Sequence, residues 1–286
     1  MAEVSIVIRT LNEARHLPAL LDGIGRQTVT DGVETIVVDS GSTDGTLDIA
    51  RSRASKVETI APADFTFGRS LNLGIRAATG RFVVIVSAHT RPAADTWLET
   101  LLKDLRERRD VALTYGRQVG AETSKFGETL DFDRFFGPAP RAIDDHFFAN
   151  NANSAIRREL WTKHPFDEAL PGLEDIAWAR HWHAEGWAVT YAHGAPIHHI
   201  HEETWPQVRR RYYREGQAAR WIGWLRRRDL PREVWGEFKW LCGDLAEAAR
   251  RGALGAKLGE ILRFRLNKVA GTVCGVWNGA TTERPR

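Results

Sequence analysis

The run Thr35-Ile36-Val37-Val38-Asp39 and the turn Ser40-Gly41-Ser42-Thr43-Asp44-Gly45 after it read as a strand ending on a carboxylate and a loop rich in helix N-cap residues. A helix carrying Leu47, Ile49 and Ala50 follows. Similar units flank this one. Upstream, Val4-Ser5-Ile6-Val7-Ile8 is a β-branched apolar run, followed by Asn12-Glu13 and a helical pattern at Leu17, Leu20 and Leu21. Downstream, a helix from about Ser70 to Ala78 stops at Gly80 and leads into Phe82-Val83-Val84-Ile85-Val86. Strands that alternate with helices and are apolar almost throughout imply an α/β fold, with a mostly parallel sheet covered by helices on both faces. Such sheets bind ligands at the carboxyl ends of their strands, so Asp39 and Ser87-Ala88-His89 are expected on one rim. Neither G-x-G-x-x-G nor the P-loop pattern follows any of these strands, which argues against nicotinamide and ATP chemistry.

The 286 residues are 43% hydrophobic and 27% charged, enough to bury one large core or a core with an appendage. Two cysteines, Cys242 and Cys274, supply neither a disulfide framework nor a Cys-rich zinc site and fit a reducing compartment. The chain enters its first strand without the pattern of a signal peptide, and no apolar stretch reaches the ~18 residues of a spanning helix. A cytoplasmic location is expected. The net charge of +3 hides an asymmetry: the balance is +10 from Trp205 onward and −7 before it, and all ten histidines precede that point. The shift places a boundary there, between a domain at 1–204 and a basic helical region at 205–286.

Four pieces in order, VSIVIRTLNE from Val4 to Glu13, IVVDSGSTDGT from Ile36 to Thr46, SLNLGIRAATG from Ser70 to Gly80 and GLEDIAW from Gly172 to Trp178, together resemble glycosyltransferase family 2. The resemblance spans about two thirds of the chain. It implies a GT-A type α/β fold with a C-terminal helical extension. It also implies inverting transfer of a hexosyl or deoxyhexosyl group from a nucleotide-sugar donor to an acceptor hydroxyl on a polysaccharide, lipopolysaccharide or lipid-linked glycan. On this resemblance Asp39 accepts a hydrogen bond from the base. Thr10, Asn12 and Glu13 line the same pocket, Ser42 and Asp44 shape the turn, and Asn72 and Ser87 lie near the donor. The residue types also permit plainer roles: Asp39 and Asp44 as helix caps, Glu13 as a first-turn helix charge, Asn72 as a packing residue.

The family usually follows its third strand with Asp-x-Asp, whose last carboxylate binds a divalent cation. Here His89 stands in that place. Imidazole is a ligand for borderline cations such as Mn²⁺, so the resemblance still implies a divalent cation, Mn²⁺ or Mg²⁺. In Ile197-His198-His199-Ile200-His201, an extended backbone turns His199 and His201 to one face. The resemblance places such a late histidine near the metal or the diphosphate, which makes His89, His199 and His201 the expected ligands. Glu174-Asp175 follows Pro171-Gly172-Leu173 and opens a helix. First-turn acids are favoured there whatever the function, but the family keeps its general base at this place, which implies Asp175 with Glu174 as the alternative. The small polar run Phe148 to Ser154 resembles the family segment between donor and acceptor, although an Asx-capped turn looks the same.

Beyond Trp205, Arg209-Arg210-Arg211, Trp221, Trp224 and Arg226-Arg227-Arg228 alternate basic and aromatic groups. This suits an anionic membrane surface, and with it a peripheral position on the inner face of the cell membrane. It equally suits a solvated helix packing its Trp residues, and no nucleic acid partner is expected. A zinc hydrolase would need further ligands at defined spacing, and no H-E-x-x-H occurs. A sugar nucleotidyltransferase would need a glycine-rich basic loop where Arg9-Thr10-Leu11-Asn12-Glu13 stands. A degenerate homologue that binds donor or lipid without turnover is the remaining alternative.

Overall fold

In the computed structural model, which describes residues 2–29, 32–139 and 147–279, β1 (Val4–Thr10) is buried on both sides, with Val4, Ile6, Val7 and Ile8 fully enclosed. The chain continues through α1 (Leu17–Gly25), β2 (Val33–Asp39), α2 (Thr46–Arg53), β3 (Lys56–Thr59), α3 (Phe67–Ala77), β4 (Phe82–Ser87), β5 (Thr90–Pro92), α4 (Trp97–Glu107) and β6 (Val111–Gly120). After these come α5 (Phe126–Phe135), β7 (Asn153–Arg157), α6 (Arg158–Lys163), α7 (Glu174–Ala184), β8 (Ala188–His199), α8 (Trp205–Trp221), α9 (Leu230–Arg250) and α10 (Leu254–Asn278).

The strands form one sheet in the order β3-β2-β1-β4-β7-β6-β8-β5. Pairing is parallel across β3, β2, β1 and β4, as the strand–helix alternation implies, and turns antiparallel from β4 to β7, from β7 to β6 and from β5 to β8. Leu17, Leu20, Leu21 and Ile24 of α1 recur at helical spacing and pack with Leu98, Leu101, Leu102 and Leu105 of α4 on the face that carries Val4, Ile6 and Ile8. On the opposite face α3 approaches so closely that a Cβ on Gly74 would lie 2.6 Å from Val7 Cγ1, so that glycine sets the helix–sheet distance. Three parallel strands end side by side, in register Thr10 with Asp39 and Arg9 with Ser87. That row of strand ends carries the candidate site.

The described residues form two compact units. The first holds residues 1–119, 136–168 and 174–199, and the second holds 120–135, 169–173 and 200–286. The second unit thus draws on three stretches of chain, of which composition marks only the last. Within it, helices α8 and α10 pack through small residues; a Cβ on Gly271 would sit 2.6 Å from Arg209 O. Arg265 is buried between Asp131 (2.6 Å), Asp244 (2.8 Å) and Glu237 (2.9 Å), and Lys268 reaches Asp131 at 2.7 Å. Paired this way the charges tie α5, α9 and α10 together; leaving one without its partner would cost several kcal/mol, on the order of 3–5.

Candidate active site

Asp39, almost wholly buried at the end of β2, takes four hydrogen bonds. The backbone amides of Gly41 and Ser42 donate to Oδ2, each at 3.0 Å, while the hydroxyls of Ser42 (2.5 Å) and Thr10 (3.0 Å) donate to Oδ1. The carboxylate therefore builds the turn after its own strand. Asn12 holds a left-handed backbone (φ 56) and links the two loops, since its Oδ1 accepts from Thr43 N at 2.9 Å and its N donates to Ser42 Oγ at 2.8 Å. Asp44 accepts from Thr46 Oγ1, Thr46 N and Ala14 N, which caps α2 and pins the loop after β1; the Thr46 hydroxyl is the main reason its pKa is lowered. Glu13 N donates to Thr46 Oγ1 at 2.7 Å. Thr10, Asn12, Glu13, Asp39, Ser42 and Asp44 are thus brought into one laced pair of loops.

His89 follows β4 and lies beside this pair. Its Nδ1 is 2.7 Å from Glu13 Oε1, Ser87 Oγ is 3.0 Å from its Nε2, and its ring stacks on that of His199 with centroids 5.1 Å apart. The stack follows from register, because Thr90 pairs with His199 across β5 and β8. His199, buried, has Nδ1 2.6 Å from Gln118 Oε1. Glu13 Oε1 and Gln118 Oε1 can each accept a hydrogen bond from the Nδ1 of the ring they face, which orients both imidazoles. Ring nitrogens of the two histidines lie within 4.8 Å of each other. This neutral, doubly anchored donor set suits a borderline divalent cation.

Asp175, also buried, opens α7 just after Leu173, which holds a left-handed φ of 56. Its Oδ2 accepts from Asn151 N at 2.9 Å and its Oδ1 from Ile176 N at 2.8 Å. Burial, and next the neighbouring Glu174 charge, push its carboxyl up to about 7 despite these donors and the more distant Arg9. Glu174 accepts from Asn151 Nδ2 at 3.4 Å and faces the Arg9 guanidinium at 3.7 Å. Arg9 in turn lies over the Phe67 ring at 4.9 Å. Because Arg9 and Thr10 are adjacent at the end of β1, the acid pair and Asp39 hang from the same strand.

One position stands elsewhere than expected. Asn72, anticipated near the donor, is spent on packing: its amide donates to Phe166 O and Glu168 Oε1, both at 2.9 Å, and accepts from Trp161 Nε1 (2.8 Å) and Phe166 N (3.1 Å). All four of its hydrogen-bonding positions are thereby used within the protein. His201 belongs to the second unit, where its Nδ1 is 2.7 Å from Glu128 Oε1. Arg211 bridges Glu128 and Glu203 there. Burial raises the Glu128 carboxyl, but His201, Arg211 and Lys125 outweigh it and hold it at about 2. With a guanidinium between its carboxylates, that trio of Glu128, His201 and Glu203 is an ion-paired cluster. Arg9, Gln118 and the amide of Asn151 were given no role from the sequence. Arg9 and Asn151 lie inside stretches singled out there, whereas no local pattern marks Gln118.

The same arrangement of strands and helices occurs in solved structures. A mannosyltransferase from Pyrobaculum calidifontis, in complex with GDP-mannose and Mn²⁺, aligns with a TM-score of 0.65 at 19% identity, over 96% of this chain and 87% of its own. The fold is GT-A. In sequence, residues 5–164 match the model of glycosyl transferase family 2, more than half of the chain, and the chain belongs to that family. A PGL/p-HBAD biosynthesis glycosyltransferase of Mycobacterium bovis is 36% identical over 135 residues, 46% of this chain and 52% of that protein. The O-antigen chain rhamnosyltransferase WbaN of Salmonella anatum is 26% identical over 213 residues, 68% of this chain and 65% of its own length. The chain spans about half the length of the mycobacterial relatives.

Proposed function

We propose that this chain is an inverting glycosyltransferase that moves a sugar from a nucleoside-diphosphate sugar to an acceptor hydroxyl of a polysaccharide, lipopolysaccharide or lipid-linked glycan intermediate. The observation that carries the reading is the placement of Asp175: a buried carboxyl at the start of α7, held by the amides of Asn151 and Ile176 beside Glu174, whose burial and acidic neighbour raise its pKa toward the range where a general base is most effective. Asp175 takes the proton as the acceptor oxygen bonds to the anomeric carbon; the bond to the diphosphate oxygen breaks with its electron pair leaving on the diphosphate. A single displacement inverts configuration. Glu174 holds the Asp175 pKa up, and Arg9 fixes Glu174. The loops laced through Asp39, Asn12 and Asp44 hold the nucleotide, with Thr10, Glu13 and Ser42 supporting them.

His89 and His199 would hold a divalent cation, Mn²⁺ in preference to Mg²⁺ because imidazole is the softer donor. When bound, such a cation supplies Lewis-acid neutralisation of the departing diphosphate. The Mn²⁺ named with the mannosyltransferase supports this assignment. Attachment to the inner face of the membrane, where lipid-linked acceptors reside, completes the reading.

Incubation with a panel of nucleotide sugars and Mn²⁺ or Mg²⁺ is expected to release nucleoside diphosphate in the presence of acceptor. Release of inorganic pyrophosphate would identify a nucleotidyltransferase instead. Donor binding without turnover across the panel would identify a degenerate homologue.

A further inference from the structure

Two helices of the second unit bury charged residues while they turn apolar residues to solvent. On α9, Asp244 is fully buried and Glu237 largely so, while Pro231, Trp235, Phe238, Cys242, Ala246 and Ala249 recur every three to four residues on the exposed side. Trp235 is 57% and Phe238 51% exposed, and their rings stack at 5.4 Å into one apolar platform. On α10, Arg265 and Lys268 are buried together with Ile261, Phe264 and Val276, whereas Leu262, Leu266 and Trp277 are exposed, Leu266 by 67%. Asp131 of α5 receives Arg265 and Lys268 from α10, and Arg134 of α5 reaches Asp244 of α9, so α5 covers the inner side of both. A helix in water shows the opposite pattern, with charge outward and apolar residues inward.

The rim of this face is mostly basic. Arg232, Lys239 and Arg250 run along α9 on the row beside Trp235 and Phe238, since spacings of 7 and 11 residues return to one side of a helix. Every exposed charged residue described from Trp205 onward is Arg or Lys. Acids that reach the surface are paired, Glu233 with Arg232, Glu247 with Arg250 and Arg251, and Glu260 with Lys257. Two copies meeting through such a face would bring like charges together, which disfavours self-association. An apolar strip edged by cations instead matches the boundary of an anionic bilayer, where aromatic rings sit among headgroups and Arg and Lys meet phosphates. No described helix is long and apolar enough to cross a membrane, so the match is to a surface on which the hairpin lies.

We propose that the outward face of the α9–α10 hairpin docks the chain on an anionic lipid bilayer, with Trp235 and Phe238 inserted at the headgroup boundary. The proposal rests on the reading of membrane attachment given above and relocates it. The basic run expected to make that contact lies partly on α8, where Arg211 is held by Glu128 and Glu203. The apolar component belongs to α9 and α10.

The test is flotation of the full chain with phosphatidylcholine vesicles, with and without phosphatidylglycerol, at low and high salt. Binding is expected only with phosphatidylglycerol, falling as salt rises, with Trp fluorescence quenched by lipids brominated near the headgroup. Trp235→Ser/Phe238→Ser is expected to weaken partitioning tenfold or more, and Arg232→Gln/Lys239→Gln/Arg250→Gln by roughly a hundredfold. All five side chains are exposed, and circular dichroism checks that both variants fold. Failure of the parent chain to float overturns the proposal. So does flotation of either variant at parental strength, or a dimer in light scattering that the variants dissolve. Nucleoside diphosphate release by the same variants in solution reports the transferase reading separately, and it is expected to persist.

Discussion

Asp175→Asn removes a charge and nearly keeps the shape of the carboxyl that sits between the amides of Asn151 and Ile176. If Asp175 is the general base, turnover is expected to fall by the 10²- to 10⁴-fold typical of that role, roughly 3–5 kcal/mol of barrier, with donor KM little changed. The parent enzyme's kcat should rise about tenfold per pH unit and level off above about 7. Stability supplies an independent readout. With its folded pKa lifted from 3.8 to about 7, this carboxyl keeps a proton that the unfolded chain has already shed. Its contribution is therefore fully present below pH 3.8 and is lost as pH rises through about 7. Between pH 5 and pH 7 stability is therefore expected to fall, with a slope of at most one proton. The variant lacks this slope. Its amide turns an NH₂ toward one backbone N–H, a pH-independent cost of about 1–3 kcal/mol, so the slope rather than the level is diagnostic. Nucleoside diphosphate release across pH, with urea denaturation at pH 5 and pH 7, measures both. Unchanged kcat together with parallel stability curves would refute the reasoning.

Glu174→Gln removes a like charge from beside Asp175, so the acid limb of the kcat profile is expected to move to lower pH; a limb that stays in place would detach Glu174 from the base. Glu13→Gln should weaken Mn²⁺ binding in the presence of nucleoside diphosphate by about 10- to 100-fold, read by calorimetry, because His89 loses the carboxylate that orients it. His89→Ala is expected to abolish metal-stimulated donor cleavage, whereas His89→Asp should retain it and shift preference from Mn²⁺ toward Mg²⁺, as titration of activity with each metal would show. Asp39→Ala should weaken nucleotide binding by ~1–3 kcal/mol and also lower the urea midpoint, since the amides of Gly41 and Ser42 lose their acceptor together.

The sequence made the parallel half of the sheet legible because the central parts of β1, β2 and β4 are buried on both faces and carry apolar runs, Ile6 to Ile8, Ile36 to Val38 and Phe82 to Val86. The antiparallel half was harder to see. β7 is Asn153-Ser154-Ala155-Ile156-Arg157, whose polar residues are buried through specific partners: Asn153 binds Trp97 Nε1, Arg117 O and Ala195 O. No periodicity announces such a strand. The site was legible where local chemistry repeats itself, as in the acidic turn after Asp39 and the acid pair after Leu173. Asn72 misled because a buried amide that ties α3 to Phe166 looks the same in sequence as one that meets a ligand. Gln118 and Arg9 act through residues 81 and 165 positions away, and long-range pairs of that kind leave no local trace.

In the proposed site, an imidazole at position 89 in place of a carboxylate moves the charge outward by one residue. An aspartate would present its negative charge directly to the cation. His89 presents a neutral nitrogen, but Glu13 stands 2.7 Å behind it on Nδ1, and a carboxylate in that place raises the basicity of the ring it orients. Glu13 belongs to the loop that is locked to Thr46 and, through Asn12 and Asp44, to the turn built by Asp39. In the proposed site the ligand that holds the cation is therefore set by the loops that hold the nucleotide. Loosening those loops should weaken metal and nucleotide together, whereas a histidine free of Glu13 would let the two vary separately. Asn12→Ala, which removes the Oδ1 that accepts from Thr43 without touching His89, distinguishes these cases. Parallel losses in Mn²⁺ and nucleoside diphosphate affinity are expected by calorimetry, and a loss of nucleotide affinity alone would separate the two functions.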